Sequence, residues 1–232
     1  MADDRKQGVL VWDLPTRLFH WALVLLMVVS YTTAQLGDDW MQLHFWSGYC
    51  ILALLLYRIA WGFVGSTTAR FADFVRGPTA ARAHLKELLG RDKPREAGHN
   101  PLGGAMVVAL LLAVLLQVAV GLFSADTDSG LVSGPLARLL PDKWIDRATA
   151  VHHLWINVIL LMVTLHVLAA ITYLVWKRQN LIAAMFHGRK PVDDVVPSGK
   201  AVPELVFASG WLALGLLGVA AAVVYFIVRL GA

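Results

Sequence analysis

Five stretches of this 232-residue chain are apolar for long enough to cross a bilayer, and nothing else in it constrains the fold as strongly. They run about 17–36, 44–64, 102–124, 150–175 and 205–228, each near the roughly 20 residues that carry a helix through the hydrocarbon core. Composition agrees. Hydrophobic residues make up 58% of the chain and charged ones 16%, where a soluble domain has about a quarter charged residues. In lipid every backbone N–H and C=O must be satisfied internally, and the alternation of a membrane barrel is absent, so the segments are predicted to be helices. The first does not read as a cleaved leader, because MADDRKQ mixes acids with bases and no A-x-A site follows cleanly. The pI near 9.4 is no nucleic-acid footprint, since the bases fall in particular loops and not on one soluble face. A bilayer is the expected surroundings, and no nucleic-acid partner is expected.

Those loops set an orientation. Arg5, Lys6 and Arg17 flank the first span. The second connection carries Arg70, Arg76, Arg82, Lys86, Arg91, Lys93 and Arg95, and the fourth carries Lys177, Arg178, Arg189, Lys190 and Lys200. The other side has Arg138, Lys143, Arg147 and Arg229, among Asp38, Asp39, Asp126, Asp128, Asp142 and Asp146. By the positive-inside rule the bias of fifteen to four puts the N-terminus in the cytoplasm and the C-terminus outside. TAARAHLKELLG is predicted to be a short surface helix on the cytoplasmic face, and the Gly/Pro-punctuated segment at 126–144 is the sizeable external loop.

Histidines carry the chemistry. Of eight, His84, His99 and His187 lie in basic connections and read as solvated loop residues. His20, His44, His152, His153 and His166 lie in or at the ends of spans, where an unpartnered imidazole is costly. Fourteen residues separate His152 from His166, which on a helix is about 21 Å of rise and a return to within about 40° of one face. His153 points about 140° away from His166 and reads as a bystander. With the orientation read from Lys and Arg alone, His20 and His166 fall at cytoplasmic depth, and His44 and His152 at external depth. Structural zinc wants four ligands, and nothing at these depths adds thiolate or carboxylate. A planar macrocycle with two open axial positions wants one histidine from each of two helices, so two stacked b-type haems are expected, paired His20/His166 and His44/His152. The single Cys50 excludes covalent c-type attachment through C-x-x-C-H. On the second span Arg58 follows His44 by fourteen residues, at the depth of the other haem, where it is expected to bind a propionate. Gly48 and Gly62, also fourteen apart, would let a flat ring approach the backbone. Gly103, Gly104 and Gly121 offer close approach or packing on the third span, which has no ligand.

VWDLPTRLFHW, LHFWSGY, YRIAWGFVGSTTARFADFVRGP, GHNPLGG, VHHLWIN with TLHV, and NLIAAMFHGRKP resemble, in order and spacing, the bacterial cytochrome b561 family, in the branch of the b-type cytochrome subunits of nickel–iron hydrogenases. The resemblance covers roughly 10–191. It implies an all-α membrane protein: a four-helix bundle with two non-covalent haem b, ligated by His20, His44, His152 and His166. Residues 192–232 then form a cytoplasmic linker and an additional fifth transmembrane helix, whose Gly210, Gly215, Gly218 and Ala222 suit helix packing or a partner subunit. Where the family often has Glu after the first histidine of the fourth span, this chain has His153.

The expected function is electron transfer across a bacterial inner membrane, within a respiratory chain, between quinone or quinol and a redox partner: a c-type cytochrome, a hydrogenase or a dehydrogenase subunit. With no nucleophile–base pair in evidence, the chain reads as an electron-transfer component and not a stand-alone catalyst. The rival within the family is a superoxide:quinone oxidoreductase acting at the external face, disfavoured by the acid-rich external loops. A haem-free histidine protein such as a metal-ion permease is the rival outside it.

Overall fold

The computed structural model describes residues 8–90, 94–126, 132–197 and 199–231. Arg5, Lys6, Arg91, Lys93 and Asp128, used above for the charge bias, lie outside the described residues. The chain is all-α. Its main helices are α1 (Leu14–Leu36), α2 (Met41–Val64), α3 (Pro78–Leu89), α4 (Pro101–Gly121), α5 (Asp142–Val175), α6 (Leu181–His187) and α7 (Gly210–Leu230). Of these, α1, α2, α4, α5 and α7 are long and apolar enough to cross a membrane. Large apolar side chains face outward along them, such as Leu154 at 70% and Trp211 at 82% exposure. Lipid, not water, is the solvent that tolerates such surface. The protein is therefore a multi-pass membrane protein.

Several sequence motifs explain themselves as helix ends. In VWDLP, Asp13 caps α1, its Oδ1 accepting from Thr16 N at 2.6 Å. In GHNPLGG, Asn100 caps α4 by accepting from Gly103 N at 2.6 Å, and Pro101 takes the first helical position, where its missing N–H costs nothing. In NLIAAMFHG, Asn180 accepts from Ala183 N at 2.8 Å, and Gly188 closes α6 at φ 83°, a left-handed conformation that glycine adopts without strain.

Two helix boundaries differ from the sequence expectation by five residues or more. α5 begins at Asp142, not near 150, because an apolar window misses an amphipathic first turn that Pro141 and Asp142 start and Ile145 buries. α7 begins at Gly210, not 205, because the preceding backbone is bonded elsewhere. Thr67 N donates to Val206 O at 2.9 Å, Val206 N to Thr67 Oγ1 at 3.0 Å, and Ala208 N to Ser66 Oγ at 3.0 Å.

The chain divides into two compact units. The first contains residues 8–18, Ala60–Ala109 and Val163–Ala213. Here β1 (Val9–Leu10) pairs antiparallel with β2 (Arg189–Lys190), Val9 opposite Lys190. Behind them Val11, Trp12, Ala184 and Val195 form a core. The carbonyls of the segment after α3 are held by cationic and amide side chains: Lys177 Nζ donates to Gly90 O at 2.7 Å, Gln179 Nε2 to Pro94 O at 2.6 Å, and Lys190 Nζ to Glu96 O at 3.0 Å. Burial lowers the pKa of Lys190 from 10.5 to about 8, against the opposing pull of the Glu96 and Asp194 carboxylates.

This unit corrects the reading of two histidines. His84 is buried, not solvated; its Nε2 lies 2.8 Å from the hydroxyl of Tyr173, and Asn100 Nδ2 donates to that hydroxyl at 2.6 Å. The surface helix α3 is thus pinned by a polar group on its inner face. His99 sits between the rings of Trp12 and Phe74, with centroids 4.6 and 4.7 Å away. Only His187 of the three is exposed.

The second unit contains Phe19–Ile59, Leu110–Met162 and Leu214–Ala232, of which residues 127–131 and 232 are not described. Leu52, Leu122, Leu136 and Val224 form its core, so α7 packs here against residues of α2 and of the turn after α4. Arg138 donates to Leu230 O at 2.9 Å, which satisfies one of the carbonyls left free at the end of α7.

Candidate functional site: a histidine pair across a cavity

A cavity of about 790 Å³ opens within the second unit, lined among others by Ser30, His44, Gly48, Gln117, Gly121 and His152. Its volume falls in the range of about 300–1,000 Å³ that ligand sites occupy. The rings of His44 on α2 and His152 on α5 meet edge-on here, with centroids 6.1 Å apart and planes at 90°.

Each imidazole is oriented by a backbone carbonyl. His44 Nδ1 lies 2.9 Å from Ser30 O, and His152 Nδ1 lies 3.0 Å from Gln117 O. A carbonyl oxygen only accepts, so both Nδ1 atoms carry the proton and both Nε2 atoms keep a free lone pair. This is the arrangement by which proteins prepare a metal-binding imidazole: the far nitrogen fixes tautomer and plane, and raises the basicity of the ligating one.

The donor set matches haem. Two imidazoles that share one metal at about 2 Å each, through nitrogens about 1 Å from their ring centres, have centroids about 6 Å apart. The observed 6.1 Å meets that requirement. Among the described residues no group of three or more His, Cys, Asp or Glu is placed to hold a metal, so the site lacks the four donors of structural zinc. Two nitrogens alone suit a macrocycle that brings its own equatorial ligands. Gly48 adds room, since a Cβ built there would meet nothing within 4 Å.

The other residues singled out from sequence are placed as follows. His153 is exposed on α5 and lines the same cavity, its ring 6.3 Å from that of His152. Arg58 is 2% exposed, with its guanidinium 6.0 Å from the centre of the Phe19 ring. It is inside the protein. His20 is half-buried on α1 and meets Trp21 edge-on at 4.9 Å. His166 is half-buried on α5, in the part of that helix that belongs to the first unit. Gly62 does not face open space: a Cβ there would run into the Phe71 ring, so the missing side chain admits Phe71.

Sequence reasoning passed over Gln117 and Ser30. The signal for Gln117 was an amide inside LLLAVLLQVAVG, where a polar side chain in a span needs a partner. It has one, donating from Nε2 to His152 O at 3.0 Å.

Membrane-crossing helices and a pair of carbonyl-oriented imidazoles across a ligand-sized cavity suit a membrane haem protein of the b type. Residues 11–188 match the model of the prokaryotic cytochrome b561 family, and the chain belongs to that family. It is thus a b-type cytochrome, an electron-transfer protein of the membrane. It is similar to a "Probable Ni/Fe-hydrogenase B-type cytochrome subunit" of Azotobacter vinelandii, 29% identical over 83% of this chain and 93% of the relative. Proteins of the same description from Rhodobacter capsulatus and Bradyrhizobium diazoefficiens are each 25% identical over 82% of this chain, covering 84% and 88% of their own lengths. No solved structure matches the chain significantly.

Proposed function

We propose that this cytochrome holds two haem b groups and carries electrons across a bacterial inner membrane between the quinone pool and a redox partner protein. The observation that carries the reading is the His44–His152 pair, 6.1 Å apart with each Nδ1 on a carbonyl. The second haem is assigned to His20 and His166 on sequence spacing and on the family resemblance. Haem b supplies reversible one-electron chemistry at iron. The chain's own residues do the rest. Ser30 and Gln117 carbonyls orient the two imidazoles, and Gly48 leaves room at the cavity wall. Arg58, a buried cation, is suited to a propionate, where it would offset negative charge in a medium of low dielectric.

A hydrogenase is the partner we favour, from the description shared by the relatives. The superoxide alternative gains no support from them. The orientation we propose has the N-terminus cytoplasmic and the C-terminus periplasmic, on the charge bias. A reduced-minus-oxidised spectrum with haem and protein assays tests the reading. Two haem b per chain with bis-histidine low-spin bands is the expected result; one haem per chain removes the His20/His166 assignment, and none removes the whole reading.

A further inference from the structure

α4 carries no histidine, yet it contacts His152 through both Gln117 and Gly121. Gln117 binds that residue twice: its backbone carbonyl accepts from His152 Nδ1 at 3.0 Å, and its side-chain Nε2 donates to His152 O at 3.0 Å. One turn on, Gly121 comes close to the same ring. A Cβ built there would stand 2.8 Å from His152 Cε1 and 3.1 Å from Nδ1, so no larger residue fits without turning the imidazole. Below the pair, Trp155 Nε1 donates to Ala113 O at 3.0 Å and ties the two helices again. Gln117 and Gly121 are four residues apart and so share a face of α4.

These contacts do two different things. The doubled bond from Gln117 fixes the distance between α4 and α5, and with it the strength of the Nδ1–H···O bond. The backbone of Gly121 sets the angle of the ring. On the other side of the cavity Ser30 O fixes His44 in the same manner from α1, and the two rings stand at 90°. We propose that Gln117 and Gly121 are positioning residues for the redox centre: they hold the His152 ring perpendicular to His44 and set its basicity, and through it the potential of that haem. The proposal rests on His152 being an axial ligand, as argued above.

The sign follows from ligand chemistry. A strong Nδ1–H···O bond makes the imidazole a better electron donor, which favours ferric over ferrous iron. Weakening the bond therefore raises the potential. Changes in the outer shell of a metal site cost about tenfold or more in affinity. A tenfold loss borne by the ferric form alone is about 59 mV for one electron.

The test is redox titration and low-spin ferric EPR of the purified cytochrome in detergent, for wild type, Gln117→Leu, Gly121→Ala and His152→Ala. Leu112→Ala, on the outward face of α4 at 61% exposure, is the control. Wild type should show the highly anisotropic low-spin signal of near-perpendicular imidazoles. Gln117→Leu should raise one midpoint potential by the tenfold equivalent. Gly121→Ala should move that same haem toward a rhombic signal, while Leu112→Ala changes neither. If Gly121→Ala fails to fold, Gln117→Leu decides alone. Unchanged potential and EPR in Gln117→Leu, with His152→Ala losing a haem, overturns the positioning role only. Full haem retention in His152→Ala overturns the ligand assignment beneath it.

Discussion

Asp13 ties the first membrane helix to the second through two bonds whose costs can be separated. Its Oδ1 caps α1 through Thr16 N at 2.6 Å, and its Oδ2 accepts from Trp61 Nε1 at 3.2 Å. Asp13 is 6% exposed and Trp61 fully buried. Asp13→Ala removes the cap, worth about 1 kcal/mol, and strands a buried indole N–H, worth about 1–3 kcal/mol. Together the loss is about 2–4 kcal/mol. Asp13→Asn keeps an oxygen for the cap but turns an amide donor toward the indole donor, so it should cost only the second part. Thermal unfolding in detergent, followed by helical circular dichroism, should rank wild type above Asp13→Asn above Asp13→Ala. In a Trp61→Phe background the Asn penalty should vanish, because no indole donor remains. An Asp13→Ala protein within about 0.5 kcal/mol of wild type, or an Asn penalty that persists without Trp61, refutes this account.

Tyr173→Phe deletes the hydroxyl shared by His84 and Asn100, and should cost a few kcal/mol, on the order of one to three per stranded buried group; limited proteolysis should then cut within 78–89, and an uncut α3 contradicts the pinning. Lys190 titrates at about 8 in the fold against 10.5 when free, so the unfolded chain binds more protons between those values and stability rises with pH across that window, by about 3 kcal/mol in all. Lys190→Met should flatten the rise in unfolding temperature from pH 8 to 10; a slope equal to wild type argues against the buried ammonium. Arg58 is a buried cation that we propose binds a propionate; on that reading Arg58→Leu disfavours the reduced haem, and one midpoint potential should fall by tens of millivolts, on the order expected for a charge in a low-dielectric site. An unchanged titration would separate Arg58 from the propionates.

Much of this was legible because membranes impose few solutions. Apolar length alone located five helices, and fourteen-residue spacing put His152 and His166 on one face of α5. Helix boundaries were less legible, because apolar windows detect the hydrocarbon-facing part of a helix and not its first amphipathic turn, as at Asp142. His84 and His99 were misread for a related reason. A histidine in a basic connection looks solvated unless its partner is known, and Tyr173 lies 89 residues away from His84 in the chain. The Ser30 and Gln117 carbonyls are backbone groups, and which of them receives an imidazole N–H is decided by packing that no short motif encodes. Gly62 shows the converse, a spacing that suited a haem yet serves Phe71.

The central claim is that His44 and His152 grip one haem between them, and haem stoichiometry in single variants tests it most directly. Purified His44→Ala and His152→Ala should each lose one haem, the same one by low-temperature spectrum and potential, while His153→Ala keeps the full wild-type content. Loss of different haems in His44→Ala and His152→Ala, or loss in His153→Ala with retention in His152→Ala, would contradict it.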